Sequence, residues 1–190
     1  MEIKNNSNSE NLSLEHSLIV SMIRDKIRHY KKLEIILSEL PNGSIIVGGY
    51  IRDLILDRFN PYPDIDIVIP KNSLEMGKNI AEKFSGKFLI LDQNRNIVRI
   101  IFENFTLDIA NQTHELLAED LKSRDFTINS IGFSFDDGEL IDPANGINDL
   151  NNSLIRSLRS ENLLHDPLRI LRCFRFVSEL NFNIEPHTFQ

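Results

Sequence analysis

Two carboxylates stand two residues apart in an otherwise apolar segment, Asp64-Ile-Asp66-Ile-Val-Ile. Because alternate residues of a β-strand point to the same face, Asp64 and Asp66 project side by side, while Ile65 and Ile67 face the opposite way, into a core. Carboxylates beside a buried strand are costly unless they are paired, hydrogen-bonded or metal-bound. The pattern therefore indicates a cation site. The competing interpretation is that Asp64 ends a turn after Pro63 and that Asp66 pairs with a nearby arginine.

A third carboxylate, Asp108, lies late in another apolar strand, Phe-Thr-Leu-Asp-Ile-Ala. Three carboxylates on adjacent strands suit Mg²⁺, a hard ion that prefers oxygen ligands and usually shares its coordination with substrate phosphates. We therefore predict Mg²⁺ as the cofactor, with Asp64, Asp66 and Asp108 as its ligands.

A glycine pair, Gly48-Gly49, follows a buried strand and precedes a helix. Glycine allows the backbone to approach a ligand closely, and a helix N-terminus offers free N–H groups to an anion. Arg52, one turn into the helix, is placed to bind phosphate oxygens. The pattern matches neither the Walker motif nor the dinucleotide-binding fingerprint. The alternative is a tight turn without a ligand.

Two further acidic residues precede segments predicted to be helical. Asp125, after Arg124, is interpreted as the N-cap of a helix. Asp166 precedes Pro167, and proline at the first helical position is typical of a helix start.

The helix after Pro167 carries a stripe of arginines. Arg169, Arg172 and Arg175 lie on one side, and Ile170, Phe174 and Val177 have the spacing of a core-facing side. We interpret the arginines as an anion-binding surface; the alternative is a solvated charged face.

The periodicity of the chain predicts elements that would position these residues in a mixed α/β sheet. Helices are predicted over 14–40 (one long or two shorter), 49–57, 73–84 and 114–121, with a polar tail up to Asn11. Strands are predicted over 44–47, 65–69, 87–91, 97–102, 105–109, 132–135 and 140–141, the last two joined by an Asp-Gly hairpin. Beyond residue 151 the patterning becomes helical, so we predict an N-terminal tail and helix (1–40), a head (41–151) and the start of a helical segment (152–190).

Composition limits the possible functions. The chain has 190 residues, 41% of them hydrophobic, and a net charge of −7. This charge argues against a protein that coats nucleic acid by charge alone, so any RNA contact must be local. The single cysteine, Cys173, fits a reducing compartment, and no membrane span or signal segment is recognisable. We expect a cytoplasmic protein with no membrane partner.

Five motifs in this order resemble the class II tRNA nucleotidyltransferase and bacterial poly(A) polymerase family. They are Val47-Gly-Gly-Tyr-Ile-Arg-Asp, Asp64-Ile-Asp, Glu119-Asp-Leu-Lys-Ser-Arg-Asp-Phe-Thr-Ile-Asn, Ile141-Asp-Pro-Ala-Asn-Gly-Ile-Asn-Asp-Leu and Asp166-Pro-Leu-Arg-Ile-Leu-Arg-Cys-Phe-Arg-Phe. The likeness spans residues 43–182. It implies a polymerase-β-like nucleotidyltransferase head with a mixed sheet, followed by the beginning of an all-helical neck.

The resemblance also implies residue roles. Asp64, Asp66 and Asp108 would be the catalytic, metal-binding carboxylates. The nucleotide would be bound by residues of the glycine turn, of the Arg-Asp motif and of the neck: Gly48, Gly49, Arg52, Arg124, Asp125, Asp166, Arg169, Arg172 and Arg175. The Asp166 and Arg169 pair would read the base edge without a template, since a carboxylate accepts from an exocyclic amine while a guanidinium donates to ring acceptors.

The sequence departs from the family pattern in three places. His165 stands where the family often has Glu, and Ser123 where it often has Arg. Only eleven residues separate Asp108 from Asp120, a shortening that the family associates with enzymes adding C but not the terminal A. The chain also ends inside the neck, so it is interpreted as a possible fragment.

The resemblance implies an Mg²⁺-dependent enzyme that adds CMP, AMP or both, from CTP and ATP, to the 3′ end of tRNA. Poly(A) addition is the alternative within the same chemistry. A nucleotide- or RNA-binding fragment and an Mg²⁺-dependent phosphohydrolase are alternatives from other classes, and the phosphohydrolase would not need the Asp166 and Arg169 pair.

Overall fold

Seven segments rich in β-branched and aromatic residues pair into one mixed sheet. The computed structural model describes the backbone of residues 6–189 and the side chains of residues 16–164 and 166–188. The strands are β1 (Ile45–Val47), β2 (Asp64–Ile69), β3 (Lys87–Asp92), β4 (Ile97–Ile101), β5 (Thr106–Asn111), β6 (Gly132–Ser134) and β7 (Glu139–Ile141), in the spatial order β3-β4-β5-β2-β1-β6-β7. Within this sheet β2 and β5 run parallel, and the other neighbours are antiparallel.

One face of the sheet packs against helices. These are α1 (Asn6–His29), α2 (Lys31–Ser38), α3 (Gly49–Ile55) and α4 (Ser73–Phe84). The alternation in β2 turns Ile65, Ile67 and Ile69 to this side, where each is at most 1% exposed. They share one apolar cluster with Ile23 of α1 and Ile51 of α3. The prediction that the isoleucines of this strand face a core is confirmed.

The opposite face carries the charged residues. Across the strands, Arg99 of β4 is paired with Asp108 of β5, Asp108 with Asp66 of β2, and Asp66 with Val47 of β1. Residues in register on neighbouring strands point to the same side, so these four side chains form one row. The part of this face beside Val47 is covered by α5 (Leu117–Lys122) through the buried Leu121.

The chain after the sheet folds back over the head. It forms α6 (Gly146–Asn151), α7 (Ser160–His165) and α8 (Leu168–Leu180), with a small parallel pair, β8 (Leu154–Ile155) and β9 (Asn183–Ile184). Short 3-10 helices occupy Thr127–Asn129 and Pro186–Phe189. Leu163, Cys173 and Phe176 of α7 and α8 belong to the same apolar cluster as the head. Because one apolar cluster contains residues from all three predicted parts of the chain, the domain boundaries at 40/41 and 151/152 stay predictions.

Most predicted elements are present, with ends that shift by a few residues. The tail predicted up to Asn11 is wrong from Asn6 onward, because α1 begins there. Residues 1–5 of that tail lie outside the described residues. The predicted helix at Arg124-Asp125 is also wrong, because only the 3-10 turn Thr127–Asn129 follows. Within the described part of the chain, no helix combines the length and apolarity needed to cross a membrane.

Candidate active site

A cleft of about 1120 Å³ lies between the charged face of the sheet, the glycine turn and α8. Every residue that the sequence assigned to the site except Asp108 lines this cleft. The residues so brought together are Gly48, Gly49, Arg52, Asp64, Asp66, Arg124, Asp125, Asp166, Arg169, Arg172 and Arg175. They come from segments more than 100 residues apart, and the fold assembles them at one place.

Gly48 makes room for two charged side chains. Its φ of +78° lies in the left-handed region, where an L side chain is strained. A Cβ placed on Gly48 would lie 3.2 Å from Arg124 Nη1 and 3.3 Å from Asp66 Oδ2. Gly49 has no such restriction, since its nearest neighbour is Arg52 Nη2 at 3.5 Å. The glycine turn therefore brings backbone, carboxylate and guanidinium together.

Asp66 is a carboxylate in an unfavourable environment for its negative charge. Burial raises its pKa to about 6, with Asp108 and Asp64 adding to the increase and Arg124 and Arg172 opposing it. Asp64, at the start of the same strand, is exposed at the cleft. Two adjacent carboxylates, one of them buried, form a set of hard oxygen donors that fits a divalent cation whose coordination is completed by a phosphate-bearing ligand.

Asp108 is held by a partner that sequence reasoning did not identify. Arg99 donates from Nε and Nη2 to the two oxygens of Asp108 at 2.7 and 2.8 Å, and this contact raises the pKa of Arg99. Among the described residues, no three His, Cys, Asp or Glu side chains are grouped to hold a metal ion. The residues therefore fit a cation held by Asp64 and Asp66, while Asp108 is occupied by the guanidinium.

Arg52 lines the cleft but its guanidinium is already engaged. Nε and Nη2 donate to the carboxylate of Asp53 at 2.9 and 3.0 Å, and Nη1 donates to Asn129 Oδ1 at 2.8 Å. The side chain is 7% exposed and stacks on Phe176 at 5.0 Å. In this geometry Arg52 supports the wall of the cleft, in contrast to the direct phosphate contact expected from the sequence.

Arg124 offers a donor that remains unused. Its Nε is buried and has no hydrogen-bond partner among the described residues. Asn162 of α7 fixes the turn that carries it, donating from Nδ2 to the carbonyl oxygens of Arg124 and Lys122 at 2.7 and 3.1 Å. A buried, unsatisfied guanidinium nitrogen is costly, so this position favours an anionic ligand.

Asp125 is a buried acceptor at the junction of head and neck. One carboxylate oxygen accepts from the Phe126 N–H at 2.8 Å and from Asn129 Nδ2 at 3.0 Å. The other accepts from Arg172 Nε at 2.7 Å. The interpretation as an ordinary helix cap is wrong, because no α-helix starts here and the acceptor sites of Asp125 bind a neck arginine.

Asp166 and Arg169 stand at the start of α8. Asp166 Oδ1 accepts from the Leu168 N–H at 3.1 Å, so the capping interpretation and a position in the cleft hold together. Arg169 lies 3.7 Å from Asp166 Oδ2 and donates to the Ser123 carbonyl at 3.0 Å. The side chain of His165 lies outside the described residues, so its place in base selection stays a prediction.

The buried side of α8 agrees with the prediction for Ile170 and Val177, which pack against the core, and differs at Phe174. Cys173 and Phe176 are 1% and 2% exposed, whereas Phe174, predicted to face the core, is 55% exposed. The arginines are also partly neutralised, since Arg175 lies 3.6 Å from Glu179 at i+4. The sequence pattern could not separate the sides because apolar residues occur around most of this helix.

Sequence reasoning missed three residues that organise the site. Phe176 is surrounded by the guanidinium groups of Arg52, Arg172 and Arg175, whose central carbons lie 5.0, 5.6 and 5.0 Å from the ring centre. The other two residues are Arg99 and Asn129. A signal existed for Arg99, because a basic residue inside an apolar strand needs a partner, but none marked the others.

The Poly A polymerase head domain family model matches residues 44–156. The chain belongs to this family. It is 39% identical over 152 residues to the CC-adding tRNA nucleotidyltransferase of Synechocystis sp., covering 80% of this chain and 36% of that protein. It is 32% identical over 185 residues to the A-adding tRNA nucleotidyltransferase of Halalkalibacterium halodurans, covering 88% and 43%.

Two solved structures support the same assignment. A CCA-adding enzyme in apo form matches with a TM-score of 0.74 and 33% identity, covering 91% of this chain and 43% of that one. A tRNA nucleotidyltransferase with a primer tRNA and an incoming ATP analogue matches with a TM-score of 0.66 and 34% identity, covering 77% and 44%. The predicted family and the mixed α/β nucleotidyltransferase fold are confirmed. The chain spans less than half the length of these relatives.

Proposed function

We propose that this chain carries the catalytic head, and the start of the neck, of a template-independent RNA nucleotidyltransferase that extends the 3′ end of tRNA. The substrates would be CTP, ATP or both, and the cofactor Mg²⁺. One observation carries the proposal: the buried carboxylate of Asp66 and its neighbour Asp64 face a cleft whose other wall is lined by the arginines of α8. The setting would be the cytoplasm, which the lone, buried Cys173 fits.

Asp64 and Asp66 would hold the metal. When bound there, a divalent cation lowers the negative charge on phosphate oxygens and makes a coordinated RNA 3′-hydroxyl more acidic. The protein's part is alignment, because the rigid strand β2 fixes both carboxylates and leaves little reorganisation for the transition state. Asp108 remains the proposed third carboxylate, and its participation would require release from Arg99.

The remaining residues would orient the nucleotide. Arg124 has a free, buried donor next to Asp66, which favours a phosphate at that point. Asp166 and Arg169 lie at the rim of the same cleft and provide an acceptor beside a donor, the pattern that cytosine and adenine complement. Gly48 and Gly49 let the triphosphate approach the backbone, and Arg172 and Arg175 supply positive charge along α8.

CC addition is the favoured specificity. The Synechocystis relative and that of Geobacter sulfurreducens, 36% identical over 148 residues, are both CC-adding tRNA nucleotidyltransferases. The short segment between Asp108 and Asp120 agrees with this choice. The A-adding relative is 32% identical, whereas a CCA-adding enzyme of Streptococcus agalactiae is 37% identical over 157 residues, so the short segment and not identity carries the choice of CC over CCA addition.

Resolving the extended tRNA products at single-nucleotide length separates the candidate activities. tRNAs ending before CC, after CC and after CCA are offered to the protein with each labelled nucleotide and Mg²⁺. We expect two C residues added to the first substrate. A long A tail would assign poly(A) polymerase activity, while nucleotide binding without extension would assign a binding fragment.

The carboxylates provide the second test. Asp64→Ala and Asp66→Ala should each abolish incorporation without unfolding the protein, because their role is ligand binding and not packing. Asp136→Ala, an acid exposed in the hairpin between β6 and β7, is the matched control. Activity retained in both site variants would refute the assignment.

A further inference from the structure

A chain of hydrogen bonds joins the helix after the glycine turn to the arginine-bearing helix of the neck. Arg52 Nη1 donates to Asn129 Oδ1 at 2.8 Å, and Asn129 Nδ2 donates to Asp125 Oδ1 at 3.0 Å. Asp125 Oδ2 then accepts from Arg172 Nε at 2.7 Å. Arg52, Asn129 and Asp125 are 7%, 4% and 5% exposed, so little water is available to replace these contacts.

The middle position of this chain has an unusual chemical requirement. Its side chain must accept from a guanidinium on one side and donate to a carboxylate on the other. A carboxamide has both groups, whereas an ionised carboxylate of the same shape can only accept. Buried polar networks stabilise one arrangement only when every member is satisfied. Asn129 therefore meets a requirement that aspartate cannot.

The same contacts fix the position of α8 above the head. Asp125 is anchored to its own backbone by the Phe126 N–H, so the arginine that it binds is anchored too. The guanidinium groups of Arg52 in α3 and Arg172 in α8 both lie against the ring of Phe176, a buried residue of α8. Asn129 borders the cleft but is only 4% exposed, so a change there would act mainly through the two arginines that its side chain links.

We propose that Asn129 is a positioning residue for nucleotide selection. Through Asp125 it holds Arg172, and with it α8, at a fixed place relative to Asp64 and Asp66. The inference rests on the proposed function, because it requires that residues of α8 contact the nucleobase. Asn129 itself makes no contact with the nucleotide in this scheme.

The test measures base preference directly. Dissociation constants of CTP, ATP and UTP are determined with Mg²⁺ for the 190-residue chain, well below its melting temperature. The wild type should prefer CTP or ATP to UTP. Asn129→Asp should lose about tenfold of that preference, the effect of losing one charge-assisted hydrogen bond. Tripolyphosphate, which has no base, should bind both proteins equally.

A swapped pair provides the rescue. In the double variant Asp125→Asn/Asn129→Asp, the carboxylate at 129 accepts from Arg52 and from the new amide at 125, whose oxygen accepts from Arg172, while the hydrogen bond from the Phe126 N–H is lost. The double variant should recover the preference between bases, even if all nucleotides bind more weakly. Asn152→Asp, the same substitution at an exposed position on the end of α6, should behave as wild type.

The outcomes separate the two proposals. A wild-type chain that binds no nucleotide, or binds all three equally, would overturn the proposed function and with it this inference. If the wild type discriminates and Asn129→Asp discriminates equally well, the inference alone is wrong. A lower melting temperature with unchanged preference would also reduce Asn129 to a structural role.

Discussion

The buried carboxylate of Asp66 makes the folded protein sensitive to pH. Its pKa is about 6 in the folded state, against 3.8 for an ordinary aspartate. Well below pH 3.8 the group is protonated in both states, so it does not affect stability. As the pH rises from 3.8 to about 6, the unfolded chain loses this proton while the folded protein still holds it, so the folded state becomes less stable. Above about pH 6 the group is ionised in both states and the loss of stability is complete.

Removing this charge should stabilise the metal-free protein. In EDTA at pH 7, Asp66→Asn should unfold at a higher temperature than the wild type. Its free energy of unfolding should be larger by at most about 3 kcal/mol, which is the pKa shift converted to free energy. At about pH 3 the two proteins should unfold at the same temperature, because the carboxyl of Asp66 is then protonated in both states. Thermal unfolding followed from about pH 3 to about pH 8 provides the measurement. A wild-type curve parallel to that of the variant would contradict this explanation.

Gly48 should tolerate no side chain. Gly48→Ala would strain the backbone by about 1 to 2 kcal/mol and press a methyl group towards Arg124 and Asp66. We expect a lower midpoint in urea unfolding and loss of nucleotide binding. Gly49→Ala is the matched control for stability, because the neighbouring glycine has only ordinary contacts and begins a helix. Equal effects at both positions would show that the left-handed backbone is not the cause.

At the scale of elements, α8 is held to the head along its length. Arg169 contacts the Ser123 carbonyl, Arg172 binds Asp125, and Arg58 at the end of α3 donates to the Glu179 carbonyl at 2.8 Å. Between these contacts, Phe176 packs edge to face against Phe126 at 5.8 Å. The helix is therefore fixed by polar contacts on both sides of one buried ring.

Phe176→Ala should loosen this helix. We expect a loss of about 3 to 5 kcal/mol in the free energy of unfolding, as for other buried aromatic residues. Phe59→Ala removes a ring of the same size that is 81% exposed, and it should change stability little. Urea unfolding of both variants gives the comparison. A small effect at Phe176 would mean that the arginine contacts alone hold α8.

The sequence predicted local elements better than their contacts. The strand containing Asp64 and Asp66 was predictable because alternation with isoleucine has a single explanation. The partner of Asp108 was not, because the pairing of Arg99 with Asp108 depends on which strands become neighbours. The buried face of α8 was predicted in part: Ile170 and Val177 pack against the core, but Phe174 is exposed and Phe176 is buried in its place. The two phenylalanines are equally apolar, and only the position of the head selects one of them.

At the scale of the molecule, a chain with a negative net charge carries a row of arginines on one wall of its cleft. The chain carries −7, yet the wall of the cleft contains Arg169, Arg172 and Arg175. These arginines lie beside the carboxylates of the same cleft, so an anion would be attracted to that one wall and not to the surface as a whole. A local contact with RNA stays a prediction from composition, and the surface that would grip the body of a tRNA was not predictable from it.

Exposed leucines along α7 and α8 should cause self-association. Leu164 of α7 is 77% exposed, and Leu168 and Leu171, one turn apart on α8, are 67% and 65% exposed. Apolar patches of this kind favour contact with another apolar surface. Leu168→Gln/Leu171→Gln should lower the average mass seen by analytical ultracentrifugation without lowering the melting temperature. Leu116→Gln, at an equally exposed but separate leucine, should leave the mass unchanged.

The single thiol of the chain, that of Cys173, lies on the buried side of α8. Cys173 is 1% exposed, and burial raises its pKa to about 11, so the folded protein presents almost no reactive thiolate. A thiol reagent can reach it only while the helix is lifted from the head. The rate at which Cys173 is alkylated in the wild-type protein therefore measures how often α8 opens. Ligands that bridge the cleft should lower this alkylation rate.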